Sequence, residues 1–323
     1  MKRIAVLTSG GDAPGMNACL RSVIRCAVYN KLEAYGVLYG YEGLIKGDFV
    51  KMNARSVSNI LSKGGTILKT ARSKSFRTKE GRIKAYKFLR KHKIDGLIVI
   101  GGNGSFRGAH ELYKEHGINI IGVPGTIDND VSGTDYTIGA STALNTALGA
   151  IDKIRDTVTS MERIYIIEVM GRKEPFIAIR VGLAGGAEDV LFPFTEYNID
   201  DMCDDIKKGR AKGKVSWIIV VSEGVAKAPE VADIIGRNTG YEVRSVVLGY
   251  IQRGGSPDAF DRILASRMGA ASVEALIKGE TDKMVGIESH QVRFISMERA
   301  FETDDKKLKL ERELYKLTRV LAI

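Results

Sequence analysis

Residues 96–105 read GLIVIGGNGS. The run Gly96–Ile100 is apolar throughout and too short for a helix, so it predicts a strand buried on both faces, as in a parallel sheet. The loop Gly101-Gly102-Asn103-Gly104-Ser105 then opens a helical pattern that continues to about His116. A buried strand that feeds a helix through a glycine loop is one half of a βαβ unit. The same grammar recurs outward from this point. Ile4–Leu7 runs into TSGGDAPG, and a helix follows in which Ala18, Leu20, Val23, Ile24, Ala27 and Val28 share a face. Ile118–Val123 runs into PGTIDND, Ile164–Val169 into MGR, and Ser216–Val221 into SEG. Val243–Leu248 leads into GYIQRGGSP and a helix from about Asp258 to Ile277. The expected fold is α/β with mainly parallel sheets. In such sheets ligands bind at the carboxyl ends of the strands, where these glycine loops fall.

The chain has 323 residues, enough for two lobes. Hydrophobic residues make up 44% and charged residues 27%, a globular and not a disordered composition. No apolar run is long enough to span a bilayer. The opening MKRIAVLTSGGD breaks at Ser9-Gly10-Gly11-Asp12 before a signal-peptide core forms. Cys19, Cys26 and Cys203 are too few and too scattered for a disulfide framework or a zinc site. A cytoplasmic location, with neither a membrane nor nucleic acid as partner, is the expectation.

Lys and Arg number 49 against 39 Asp and Glu, a net charge of +10 that favours anionic ligands. The basic residues are spread out, not gathered on one helix with aromatics between them, so small phosphorylated ligands are favoured over nucleic acid. The densest basic run, Arg82–Lys93, alternates with Ile83, Ala85, Phe88 and Leu89 and predicts the wet face of an amphipathic helix. The four histidines lie outside the strand-end loops and are expected at the surface.

Three loops carry the chemistry. Thr8–Gly15 and Gly101–Ser105 put glycines between a strand and a helix, where backbone N–H groups can approach a phosphate. The first loop taken alone fits a tight βα turn equally well. With Gly108 the second reads GxGxxxG, one residue too long for a dinucleotide fingerprint, and no GxxxxGK[ST] occurs. Pro124–Asp130 is more informative. Asp128 and Asp130, two residues apart, suit phosphoryl transfer: one accepts a hydroxyl proton and the other helps hold Mg²⁺. Arg72, Arg163, Arg172, Arg244 and Arg253 stand beside strand ends and glycine loops, and guanidinium forks match phosphate geometry.

The motifs LTSGGDAPGMNA, GGTIL-TAR, VIGG-GS, VPGTIDND, EVMGR, LAGGAE, LG-IQRGGSP and DRILASRMGA, in this order, resemble those of the bacterial ATP-dependent 6-phosphofructokinases nearly end to end. The resemblance implies phosphate transfer from ATP, with Mg²⁺, to the 1-hydroxyl of fructose 6-phosphate in a homotetramer of two-lobed subunits. Residues 1–139 plus 252–305 would form the nucleotide-binding lobe and 140–251 plus 306–323 the sugar-phosphate lobe. Asp128 falls on the catalytic base, with Thr126, Arg72, Arg172 and Gly11 supporting it. Gly11, Arg72, Ser73, Gly102, Asn103, Gly104 and Ser105 fall on the ATP site, and Asn103 and Asp130 on the metal site. Thr126, Ile127, Asp128, Met170, Gly171, Arg172, Glu223, Tyr250 and Arg253 fall on the sugar-phosphate site. Arg163 and Arg244 match arginines that reach that site from a neighbouring subunit. Arg21, Arg25, Arg155, Gly186, Glu188, Lys212 and Lys214 match an effector site for ADP or phosphoenolpyruvate. Gly104 and Gly125 match the ATP users, not the pyrophosphate users.

Three positions depart from the family pattern: Asn103 replaces an Asp, Tyr250 replaces a His, and Lys173-Glu174-Pro175-Phe176 replaces a small segment with Gly-Asp. These departures leave open an alternative, a catalytically weak or inactive paralogue that acts as a regulatory subunit binding sugar phosphate and effector.

Overall fold

A computed structural model describes residues 1–194 and 197–322. In chain order it begins β1 (Arg3–Thr8), α1 (Met16–Tyr29), β2 (Glu33–Val37), α2 (Gly40–Lys46) and β3 (Phe49–Met52). Next come α3 (Lys79–Lys91), β4 (Gly96–Gly101), α4 (Asn103–His116), β5 (Asn119–Pro124) and α5 (Ala140–Met161). The middle of the chain supplies β6 (Ile164–Val169), α6 (Phe176–Ala184), β7 (Asp189–Leu191), α7 (Ile199–Ala211), β8 (Trp217–Ser222), α8 (Ala228–Thr239) and β9 (Val243–Val247). It closes with α9 (Ala259–Ile277), β10 (Lys283–Glu288), β11 (Gln291–Ser296) and α10 (Asp305–Leu321).

Two compact units result: Met1–Thr142 with Arg253–Asp304, and Ala143–Gln252 with Asp305–Ile323. The first holds a seven-stranded sheet in the order β11-β10-β5-β4-β1-β2-β3. Its β2, β1, β4, β5 and β10 run parallel, and β3 and β11 close the edges antiparallel. The central β4 is buried at every residue, as its uninterrupted apolar run requires. Leu7, Leu97, Val99 and Ile120 join Phe106, Leu89 and Leu112 in one hydrophobic core. The second unit holds a parallel sheet, β7-β8-β6-β9, cored by Ile164, Ile166, Trp217, Ile219 and Val221.

Two sequence expectations fail for the same physical reason. Arg82, expected on a wet helix face, is only 8% exposed. Its guanidinium donates at 2.7 Å to each oxygen of Glu115 on α4, and to the carbonyls of Phe76 and Arg77. His110, expected at the surface, is buried with Nδ1 at 2.9 Å from Asp282. In both cases a carboxylate far along the chain makes burial of a polar group affordable. His92 and His116 are also packed, stacked on Phe49 and Tyr86, whereas His290 is exposed.

At the start of α9, Asp258 caps the helix by accepting from the Asp261 N–H at 2.8 Å. Asp261 itself is fully buried and accepts from Gly139 N, Thr142 N and Thr142 Oγ1 at 2.6–2.9 Å. Those bonds fix the chain where it enters α5. Burial still dominates, and the Asp261 carboxyl is pushed up to about 6.

Candidate active site

In the first unit the carboxyl ends of β1, β4 and β5 open onto a cavity of about 560 Å³. Three loops line it. From the β1–α1 loop come Ser9, Gly10 and Gly11. Gly15 caps α1 with φ +99°, a left-handed conformation that a side chain would strain, and a Cβ there would lie 2.7 Å from Ile138. The second loop, after β4, contributes Gly102, Asn103, Gly104 and Ser105. These residues start α4, so its unpaired N–H groups and positive end suit an anion bound in the cavity. No atom lies within 4 Å of a Cβ built on Gly104, so that side of the loop is open to a ligand.

The third loop, after β5, contributes Gly125, Thr126, Asp128 and Asp130. Thr126 Oγ1 accepts from the Asp128 N–H at 3.3 Å, and the Thr126 carbonyl accepts from Thr137 Oγ1 at 2.6 Å. Asn129 is buried with φ +49°, its amide tied to Thr137 N and to the Asp135 carbonyl. The turn therefore holds Asp128 and Asp130 on either side of a fixed Asn129. Ile127 is buried in the core and does not line the cavity.

Arg72, Ser73 and Arg253 complete the expected group in this unit. Arg72 is exposed. The Ser73 hydroxyl donates to Glu42 at 2.8 Å and accepts from Phe76 N at 3.1 Å. Arg253 donates to the Asp12 carbonyl at 3.1 Å and lies against Gly11.

Asn103 and Asp130 are in direct contact. Asn103 Nδ2 donates to the Asp130 main-chain oxygen at 3.1 Å and to its Oδ2 at 3.0 Å. Asn103 Oδ1 is buried with no hydrogen-bond partner. One carboxylate and one amide oxygen are hard donors that suit Mg²⁺, with phosphate oxygens and water completing the octahedron. Among the described residues no group of three or more His, Cys, Asp or Glu could hold a metal alone. The residues therefore fit an ion that arrives with phosphate ligands.

The sequence reading missed the aromatic part of the cavity wall beside the α4 loop. Tyr41 and Phe76 stack there with ring centroids 3.8 Å apart, and the Tyr41 hydroxyl donates to the Ser105 carbonyl at 2.5 Å. Arg77, Arg82, Arg107 and Glu111 line the same side. Arg107 and Glu111 follow Asn103 at helical i+4 steps, a signal that was available. No local pattern joins Tyr41 to Phe76.

The remaining candidates lie in the second unit. Met170 and Gly171 are buried after β6, and the Met170 N–H donates to Gln252 Oε1 at 3.3 Å. Gly171 has φ +132°, and its carbonyl accepts from the Ser222 hydroxyl. Arg172 is exposed and pairs with Glu223 at 3.3 Å. Arg163 and Arg244 converge on Glu242, at 2.9 and 2.5 Å. Their guanidinium groups hold that carboxyl below its ordinary value, Arg163 foremost. Tyr250 is 81% exposed. Of the expected effector residues, Arg155 donates to the Gly186 carbonyl at 2.7 Å and Lys214 pairs with Glu188 at 3.3 Å. Lys212 is exposed at the end of α7. Arg21 and Arg25 belong to α1 of the first unit, half-buried and exposed respectively. Among the described residues no helix is long and apolar enough to cross a membrane.

Residues 3–276 match the family model described as phosphofructokinase. The ATP-dependent 6-phosphofructokinase of Brevibacillus brevis is 51% identical over 323 residues, covering all of both chains. That of Listeria monocytogenes is 52% identical over the same length, again covering both chains fully. Among solved structures, phosphofructokinase from Saccharomyces cerevisiae superposes with a TM-score of 0.86 at 33% identity. It covers all of this chain, which spans 48% of the yeast one. A pyrophosphate-dependent phosphofructokinase from Marinobacter aquaeolei shares the fold, with a TM-score of 0.81 at 23% identity. A match over the full length, on a fold whose strand-end glycine loops line one cavity, makes the chain a member of the phosphofructokinase family.

Proposed function

We propose that the protein is an ATP-dependent 6-phosphofructokinase, which transfers the γ-phosphoryl group of ATP to the 1-hydroxyl of fructose 6-phosphate. The observation that carries the reading is the shared cavity: Asp128 and Thr126 line it together with the amino end of α4, Arg72 and Arg253. Asp128 accepts the hydroxyl proton as the sugar oxygen attacks phosphorus. Thr126 holds the Asp128 turn through its hydroxyl. Arg72 and the N–H groups at the start of α4 offset charge on the transferring phosphoryl oxygens. Mg²⁺, when bound, screens the phosphates, and Asp130 and Asn103 are the residues that would hold it.

The first unit takes the nucleotide, and Met170, Gly171, Arg172 and Glu223 of the second take the sugar phosphate. Arg163 and Arg244 serve a neighbouring copy in a homotetramer. An effector site for ADP or phosphoenolpyruvate, at an interface between copies, uses Arg155, Gly186, Glu188, Lys212 and Lys214 of the second unit and Arg21 and Arg25 of the first. The pairing of Arg155 with Gly186, and of Lys214 with Glu188, supports that grouping. Three free cysteines are in keeping with a cytoplasmic enzyme.

The test is a coupled assay of ADP release with and without fructose 6-phosphate. Release that depends on the sugar phosphate supports the kinase. Binding of fructose 6-phosphate without turnover would favour the regulatory subunit.

A further inference from the structure

The Asn103 amide nitrogen donates to two oxygens of a single residue, the Asp130 carbonyl and its carboxylate. The amide cannot be turned round. Reversed, Oδ1 would face two oxygens of Asp130 at about 3 Å, with no donor between them. With Nδ2 fixed in this way, Oδ1 is the buried atom left without a hydrogen bond. The contact also joins two elements. Asn103 is the first residue of α4, and Asp130 lies in the loop after β5, 27 residues on.

From this geometry we infer that Asn103 is a positioning residue which clips Asp130 in place without a metal. The inference rests on reading the cavity as a magnesium–nucleotide site. Two carboxylates 3 Å apart would repel and would need a cation or a shared proton to sit still. A carboxylate held by an amide has no such need, and it offers an ion one negative charge where a pair of acids would offer two. Without phosphate oxygens, that donor set is too weakly charged to take the ion out of water. The metal-free protein is then already ordered at Asp130, and the cation contributes nothing to that order until nucleotide arrives.

The test uses the nucleotide-free, full-length protein and reads thermal stability in EDTA and in 10 mM Mg²⁺, with Mn²⁺ titrated by paramagnetic resonance as a direct probe. The wild type should melt within about 1 °C in the two buffers. Asn103→Asp should melt lower in EDTA, regain about 2–4 °C in Mg²⁺, and bind Mn²⁺ at least about 10-fold more tightly. Asn103→Ala, which has neither clip nor added charge, should melt lower than wild type in both buffers and gain nothing from Mg²⁺. The inference is overturned if the wild type gains as much from Mg²⁺ as Asn103→Asp does. It is equally overturned if Asn103→Asp, or Asn103→Ala should the acid fail to fold, behaves as wild type in both buffers. These readings need no turnover. A protein that shows the pattern yet lacks kinase activity would refute the proposed function alone, and an active enzyme without the pattern would refute this inference alone.

Discussion

The guanidinium of Arg253 occupies the space that a side chain on Gly11 would take. A Cβ built on Gly11 would overlap Nη1 and lie 3.1 Å from Cζ. A side chain on Gly11 would therefore displace the tip of the arginine, which is held there by its bond to the Asp12 carbonyl. Gly11→Ala should push Arg253 out of the cavity. A misplacement of about 1 Å at a reacting site can cost about 10²-fold. The expected result is a fall of that order in kcat/KM for fructose 6-phosphate with little change in melting temperature. Steady-state kinetics beside a melting curve check it, and unchanged kinetics would show that Arg253 does not depend on Gly11.

The buried Asp261 gives the protein a pH dependence of definite sign. Burial raises the folded carboxyl to about 6, above its unfolded value of about 3.9. The folded state therefore holds the proton more tightly, and stability falls as pH rises between about 4 and about 6. The loss from this one group is at most about 3 kcal/mol. Denaturant unfolding of wild type and Asp261→Asn across that window should show the wild type losing ground relative to the variant as pH rises. A difference that is flat with pH would mean that Asp261 is not the titrating group.

Charge reversal at Arg25 tests the effector site. Arg25 is exposed on α1, one turn from Arg21, so the two present paired positive charge. In Arg25→Glu the rate response to ADP or phosphoenolpyruvate, scaled to each protein's own basal rate, should vanish. A full response at wild-type concentrations would move the site elsewhere.

The oligomeric state is a further expectation. Arg163 and Arg244 are drawn to Glu242 in the second unit. If they serve a neighbouring copy, sedimentation at assay concentration should show a tetramer, and dilution to monomer should abolish activity. A fully active monomer would contradict that role.

The strands around the cavity were legible because each is a short apolar run that leads into a glycine loop, and β4 is buried along its whole length as such a run demands. The loop residues could be read for a related reason: glycine, Asp and Asn at strand ends carry their chemistry locally. What could not be read depends on partners distant in sequence. Arg82 looks like a solvated cation until Glu115 is brought beside it, and His110 looks like a surface residue until Asp282 arrives. The Tyr41–Phe76 stack and the seat of Arg253 on Gly11 are tertiary contacts with no periodicity to announce them. The Asn103 substitution was visible in sequence as a departure, but its consequence, an amide turned onto Asp130, needed the geometry.

The most direct measurement is turnover of Asp128→Ser beside its affinity for fructose 6-phosphate, the first by coupled ADP release and the second by calorimetry. A positioned general base contributes about 10²–10⁴-fold. Turnover should fall by that factor while the dissociation constant for fructose 6-phosphate stays within a few-fold of wild type. An active wild type whose turnover is unchanged by Asp128→Ser would contradict the account.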